Sequence, residues 1–140
     1  MDIMIINGPN LNLLGKRETK YYGFVSFEQY LKKLRESYPS INIDYFQSNI
    51  EGEIIDSLQK ASILYNSIIL NAGGYTHTSV SIADAVKTSD ADIVEVHISN
   101  IFSREDFRHK SFIAPYVCGI IMGFGLESYR LAIEYLIKKN

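Results

Sequence analysis

The chain has 140 residues, 46% hydrophobic and 21% charged, which suits one domain over 1–140 with enough apolar surface for a core that needs no staples. A net charge of -2 provides no global basic field to recruit nucleic acid, although a local basic patch would still hold a small anion. The single Cys118 cannot close an intrachain disulfide, the N-terminus has no signal-peptide pattern, and no apolar run approaches the ~20 residues that span a bilayer, so a soluble cytoplasmic protein is expected.

Residues 3–6 form a short apolar run ended by Asn7-Gly8-Pro9, the pattern of a buried strand running into a loop. The loop continues to about Gly23. Ser26-Phe27-Glu28-Gln29 is a capping box, and Phe27, Tyr30, Leu31 and Leu34 recur at helical spacing until Pro39. Residues 41–46 read as a second strand, followed by the polar break Gln47-Ser48-Asn49. Ile54, Ile55, Leu58 and Ala61 mark a second helix face. Residues 67–70 give a third strand, ended by Asn71-Ala72-Gly73-Gly74, and Val80, Ala83 and Val86 predict a short third helix. Residues 93–96 are a fourth strand, 99–111 a polar, charged stretch, and 117–122 a fifth strand. Leu126, Tyr129, Ile133, Leu136 and Ile137 face inward on a last helix, whose Lys138 and Lys139 suit the negative end of its dipole. Strands alternating with helices, and apolar without clean alternation, indicate an α/β domain: an open parallel five-stranded sheet with helices on both faces.

Ligands of such sheets bind outside the carboxyl ends of the strands. Polar residues stand at four of those ends: 7–12, 47–49, 71–77 and 97–100. Each cluster taken singly reads as turn and cap residues. Four on one rim, two with a histidine, favour a site. Glu95 and His97 lie two apart in a strand and so project from one face. A carboxylate there stabilises an imidazolium and fixes its tautomer, making His97 a candidate general acid. A paired charge without chemistry fits the same spacing.

The loop after the first strand carries Lys16, Arg17, Lys20, Tyr21 and Tyr22, bracketed by Gly15 and Gly23. It reads either as a solvated basic loop or as a lid. A tyrosine acts as a base only if its pKa of ~10 falls by two or three units. A cation ~5 Å away at an effective dielectric of ~20 contributes about 3 kcal/mol, roughly two such units. Other chemistries lack their patterns. Gly8 and Gly15-Lys16 are too far apart for a phosphate-binding loop, and Arg17 stands where a Ser or Thr would hold magnesium. Gly119, Gly123 and Gly125 do not match a dinucleotide fingerprint, and there is no serine-hydrolase elbow. His77, His97 and His109 lack zinc-site spacing.

Asn7-Gly8-Pro9-Asn10-Leu11-Asn12-Leu13-Leu14-Gly15, with Arg17 and Tyr22-Gly23, resembles the opening signature of the type II 3-dehydroquinases. Gln47-Ser48-Asn49 with Glu51-Gly52-Glu53, and Asn71 through Ser79, resemble its second and third blocks. Glu95-Val96-His97-Ile98-Ser99-Asn100 with Arg104-Glu105-Asp106-Phe107-Arg108-His109 resembles the fourth. The likeness covers nearly the whole chain. Ile98 stands where the family often has leucine, and Phe102 where it often has histidine. The resemblance implies a flavodoxin-like fold and the reversible anti elimination of water from 3-dehydroquinate through an enolate, with no cofactor and no metal. It implies that Tyr22, as tyrosinate, is the base and that Arg17 lowers its pKa. Asn12 would hold a water against the enolate oxygen. His97 would protonate the leaving hydroxyl, oriented by Glu95. Asn71, His77, Ile98, Ser99 and Arg108 would grip the substrate, and Asp84 would reach it from a neighbouring subunit. The family's trimers assemble into dodecamers. The remaining alternative is a flavodoxin-like binding or signalling domain without catalysis.

Overall fold

The apolar runs become strands β1 (Asp2–Asn7), β2 (Asn42–Gln47), β3 (Ser67–Asn71), β4 (Asp92–His97) and β5 (Gly119–Met122). The structure is a computed structural model describing residues 1–16 and 25–140. Helices α1 (Phe27–Ser37), α2 (Glu51–Leu64), α3 (Val80–Lys87) and α4 (Glu127–Lys139) connect or follow the strands. Every strand pair is parallel, in the order β2-β1-β3-β4-β5. The alternation of elements predicts such an open parallel sheet, and its strand order is the flavodoxin-like one that the resemblance implies.

Strand parity divides the core. Ile3, Ile5, Ile69, Val94 and Val96 pack with Phe27, Leu31 and Leu34 of α1 and with Tyr129, Ala132, Ile133 and Leu136 of α4. Ile6, Ile68, Leu70 and Ile93 point the other way, towards Ile54, Leu58 and Ala61 of α2 and Ile82, Ala83 and Val86 of α3. The central strand residues Ile3, Ile5, Ile6, Ile68, Ile69 and Leu70 are all 0% exposed. Each contributes roughly 1.5–3 kcal/mol of apolar burial. The capping box forms as expected: Ser26 Oγ accepts from the Gln29 N–H, and Gln29 Oε1 accepts from the Ser26 N–H.

Some assignments shift. Val80 is exposed, because Ile82, Ala83 and Val86 centre the buried arc of α3 and the first helical residue falls outside it. The fifth strand begins at Gly119 rather than Val117, although the Cys118 N–H already donates to Ile93 O at 2.8 Å. In α4 the buried stripe is Tyr129, Ala132, Ile133 and Leu136, which leaves Ile137 on the flank. Among the described residues, no helix is long and apolar enough to cross a membrane.

Candidate active site

β1 sits between β2 and β3, so the chain leaves β1 towards one side of the sheet while β3 continues on the other. A crevice opens at such a switch point, at the carboxyl ends of the strands. Two glycines let the loops after β1 and β3 cross there. The Gly8 N–H donates to Asn71 O at 2.7 Å, and a Cβ on Gly8 would stand 2.5 Å from Ala72 O. Gly73 has φ +59, with its Cβ position 3.1 Å from Pro9 O. The resulting cleft is walled by Pro9, Asn10, Leu11 and Leu14 after β1, and by Asn71, Gly73, Gly74 and His77 after β3. His97, Ile98, Ser99, Ile101, Arg104 and Arg108 close it after β4.

Glu95 and His97 share a sheet face with Ile93, the face that α2 and α3 cover lower down. His97 Nε2 lies 2.7 Å from Glu95 Oε1, and both side chains are buried. Ser111 Oγ donates to the same Oε1 at 2.7 Å. A buried carboxylate is costly without such donors. With Nε2 engaged, Nδ1 is the nitrogen His97 can offer to a ligand. His77 stacks across from it, ring centroids 6.3 Å apart and planes at 21°. His77 Nδ1 lies 2.8 Å from Lys110 O. A carbonyl only accepts, so Nδ1 carries the proton and Nε2 of the neutral ring is an acceptor. Burial holds the His77 pKa below its ordinary value, with help from the nearby His97 and Arg108 charges, against the opposing Lys110 carbonyl and Glu95.

Asn7 and Asn71 are partners in register at the ends of β1 and β3, and both face α4. The Tyr129 hydroxyl bridges them. It donates to Asn7 Oδ1 at 2.8 Å and accepts from Asn71 Nδ2 at 2.8 Å. Burial pushes the Tyr129 pKa upward, so this phenol keeps its proton. Asn71 Oδ1 also accepts from the Gly73 N–H at 3.2 Å. The amide of Asn71 is thereby fixed in orientation at the cleft floor.

Two arginines supply positive charge. The Arg108 Nε donates to Glu105 Oε2 at 2.7 Å. The Arg104 side chain is only 6% exposed, with its Nε 3.9 Å from the same oxygen. Among the described residues, no group of three His, Cys, Asp or Glu side chains is placed to hold a metal ion.

Of the residues singled out from the sequence, Asn71, His77, His97, Ile98, Ser99 and Arg108 line one cleft, with Glu95 directly behind His97. Asn12 is exposed on the turn Leu11–Leu13, beside the wall residues Leu11 and Leu14 but not among them. Asp84 is exposed on α3 and does not line the cleft of its own chain. Arg17 and Tyr22, and most of the lid expected between Gly15 and Gly23, lie outside the described residues. The polar break after β2 proves structural. Gln47 Nε2 donates to Gly8 O at 3.2 Å, Asn49 Oδ1 accepts from the Asn10 N–H at 2.9 Å, and Ser48 bonds Glu53. Phe102 packs its ring 5.6 Å from His109, away from the cleft lining. Sequence reasoning gave no role to Arg104, Ser111 or Tyr129. Arg104 stood within a block already quoted. Ser111 closed a stretch read only as polar, and Tyr129 was read as core.

Residues 1–137 match the family model described as Dehydroquinase class II. The chain is 53% identical over 138 residues to the 3-dehydroquinate dehydratase of Acaryochloris marina (strain MBIC 11017), covering 96% of this chain and 92% of that protein. It is 52% identical over 140 residues to the 3-dehydroquinate dehydratase of Prochlorococcus marinus (strain MIT 9301), covering 98% and 95%. Among solved structures, it is similar to the type II dehydroquinase from Butyrivibrio crossotus DSM 2876, with a TM-score of 0.94 and 44% identity over 98% of this chain and 97% of that one.

Proposed function

The chain belongs to the class II dehydroquinase family and dehydrates 3-dehydroquinate in the shikimate pathway; from that premise we propose that His97 is the general acid of the reaction and Glu95 the group that orients it. The observation that carries this reading is the 2.7 Å contact between the buried Glu95 and a histidine at the cleft wall. Nε2 stays on Glu95, so Nδ1 has a proton to give only when the ring is an imidazolium. The carboxylate stabilises that cation. Transfer to the leaving hydroxyl releases water and returns a neutral ring still bonded through Nε2–H. An assignment to a flavodoxin-like domain without catalysis is not favoured by the family match.

The other half of the chemistry is removal of the proton beside the ketone, giving an enolate that expels the hydroxyl from the opposite side. Tyr22, as tyrosinate, is the proposed base, with Arg17 lowering its pKa. Asn12 is proposed to hold a water against the enolate oxygen. Asn71, His77, Ile98, Ser99 and Arg108 are proposed to grip the substrate. His77 suits an accepting role towards a hydroxyl, since its Nδ1 proton already serves Lys110. The whole chain would act as one catalytic unit in the cytoplasm. Asp84 would complete the pocket of a neighbouring subunit within trimers that assemble into dodecamers.

Turnover followed by the ultraviolet absorbance of the conjugated enone product tests these roles. His97→Ala is expected to lose on the order of 10²–10⁴ in turnover, and Glu95→Gln less, since it keeps shape and removes charge. Tyr22→Phe is expected to be nearly inactive with ligand affinity held within a few-fold. Near-parental turnover in His97→Ala or Tyr22→Phe would remove that residue from its role.

A further inference from the structure

Glu95 carries two donors on one oxygen: His97 Nε2 and Ser111 Oγ, both at 2.7 Å from Oε1. Its other oxygen, Oε2, is buried with no hydrogen-bond partner among the described residues. The negative charge of the carboxylate is therefore divided between the imidazole and one hydroxyl. The direction of that hydroxyl is fixed, because Ser111 Oγ accepts from the Ala114 N–H at 3.0 Å and its own proton goes to Glu95. Its position is fixed by the residues on either side. Lys110 O lies 2.8 Å from His77 Nδ1. The Phe112 N–H donates to Thr76 O at 2.9 Å. Ile113 anchors the segment in the core at 0% exposure. Three consecutive residues thus hold His77, Glu95 and the backbone beneath His77.

We propose that Ser111 is a positioning residue for the dehydration, holding the Glu95 carboxylate in place behind His97 and drawing off part of its charge. The proposal rests on the assignment of His97 as the acid. Without the hydroxyl, Oε1 would act on the imidazolium alone. A more strongly held imidazolium keeps its proton to higher pH and gives it up less readily. Among the described residues, the other titratable or charged groups that share the cleft with His97 are His77 on the turn after β3, and Arg104 and Arg108 on the turns after β4, with Arg108 tied to Glu105. Ser111→Ala leaves all of these in place and removes the contacts to Glu95 and to the Ala114 N–H together, while Ser111→Thr keeps a hydroxyl for both.

The test is the pH dependence of turnover, together with an NMR titration of isotope-labelled histidine, for the parent enzyme, Ser111→Ala, Ser111→Thr and His97→Ala. Ser111→Ala is expected to lower kcat about tenfold with KM within about twofold. Its alkaline limb and the His97 signal are expected to move up by about half to one pH unit. Ser111→Thr, which keeps the hydroxyl, is expected to titrate with the parent. A Ser111→Ala titration unchanged from the parent overturns the inference, whatever happens to kcat. So does a shift that Ser111→Thr reproduces, because the hydroxyl is then not its cause. Parental turnover in His97→Ala would instead overturn the acid assignment itself, which separates the two failures.

Discussion

His77 gives the site a pH-dependent effect on stability whose sign follows from its surroundings. Its folded pKa lies below the ordinary 6.5, chiefly through burial. As pH falls below that ordinary value, the unfolded chain takes up the proton before the folded one does. The unfolded state then binds more protons, so stability rises with pH across the window between the folded pKa and 6.5. The contribution is complete above that window and is lost as pH falls through it. Urea midpoints measured from about pH 5 to pH 8 are expected to fall less steeply with acid in His77→Gln than in the parent. An equally steep profile in the variant would contradict the burial of this ring. The site was unevenly legible at this scale. Glu95 and His97 were readable because a two-residue spacing in a strand fixes a shared face. Tyr129 was not, because its hydroxyl meets Asn71 across 58 positions and Asn7 across 122. A helical apolar stripe locates the ring but says nothing about where the oxygen goes. Asn49 shows the converse: its residue type matched a ligand-binding rim, yet its side chain secures the neighbouring loop.

Helices and strands followed the hydrophobic spacing closely, since each element has one buried face and the period of that face is its signature. The ends were less legible. β5 starts late because Val117 still belongs to the approach from the turn Ala114–Tyr116. The polar stretch after β4 resolves into short 3-10 turns, Ile101–Ser103 and Asp106–Arg108, that have no apolar period to read. At the crossing of the two central loops, Gly8 has no room for a side chain. Gly8→Ala is expected to cost about 1–3 kcal/mol of stability, read by urea unfolding, and to lower turnover by displacing Asn71 and Gly73. A variant as stable as the parent would mean that the loops separate without strain.

For the whole molecule, the outward face of α3 is the surface to test. Asp84 and Val80 are both exposed there, and Asp84 takes no part in its own cleft. If a neighbouring subunit's pocket receives Asp84, Asp84→Ala is expected to weaken substrate binding or assembly, and an interface variant that yields folded monomer is expected to lose activity. Light scattering that finds a fully active monomer would leave Asp84 as a surface charge. The bridge made by Tyr129 has a consequence for how the enzyme comes into being. The two asparagines at the ends of β1 and β3 are joined by a side chain from α4, which follows every strand of the sheet in chain order. Until α4 has been made, the asparagines that end β1 and β3 have no clasp. The floor of the cleft is therefore set only once α4 has docked, and a chain cut before Tyr129 holds Glu95 and His97 beside an unclasped pair of asparagines.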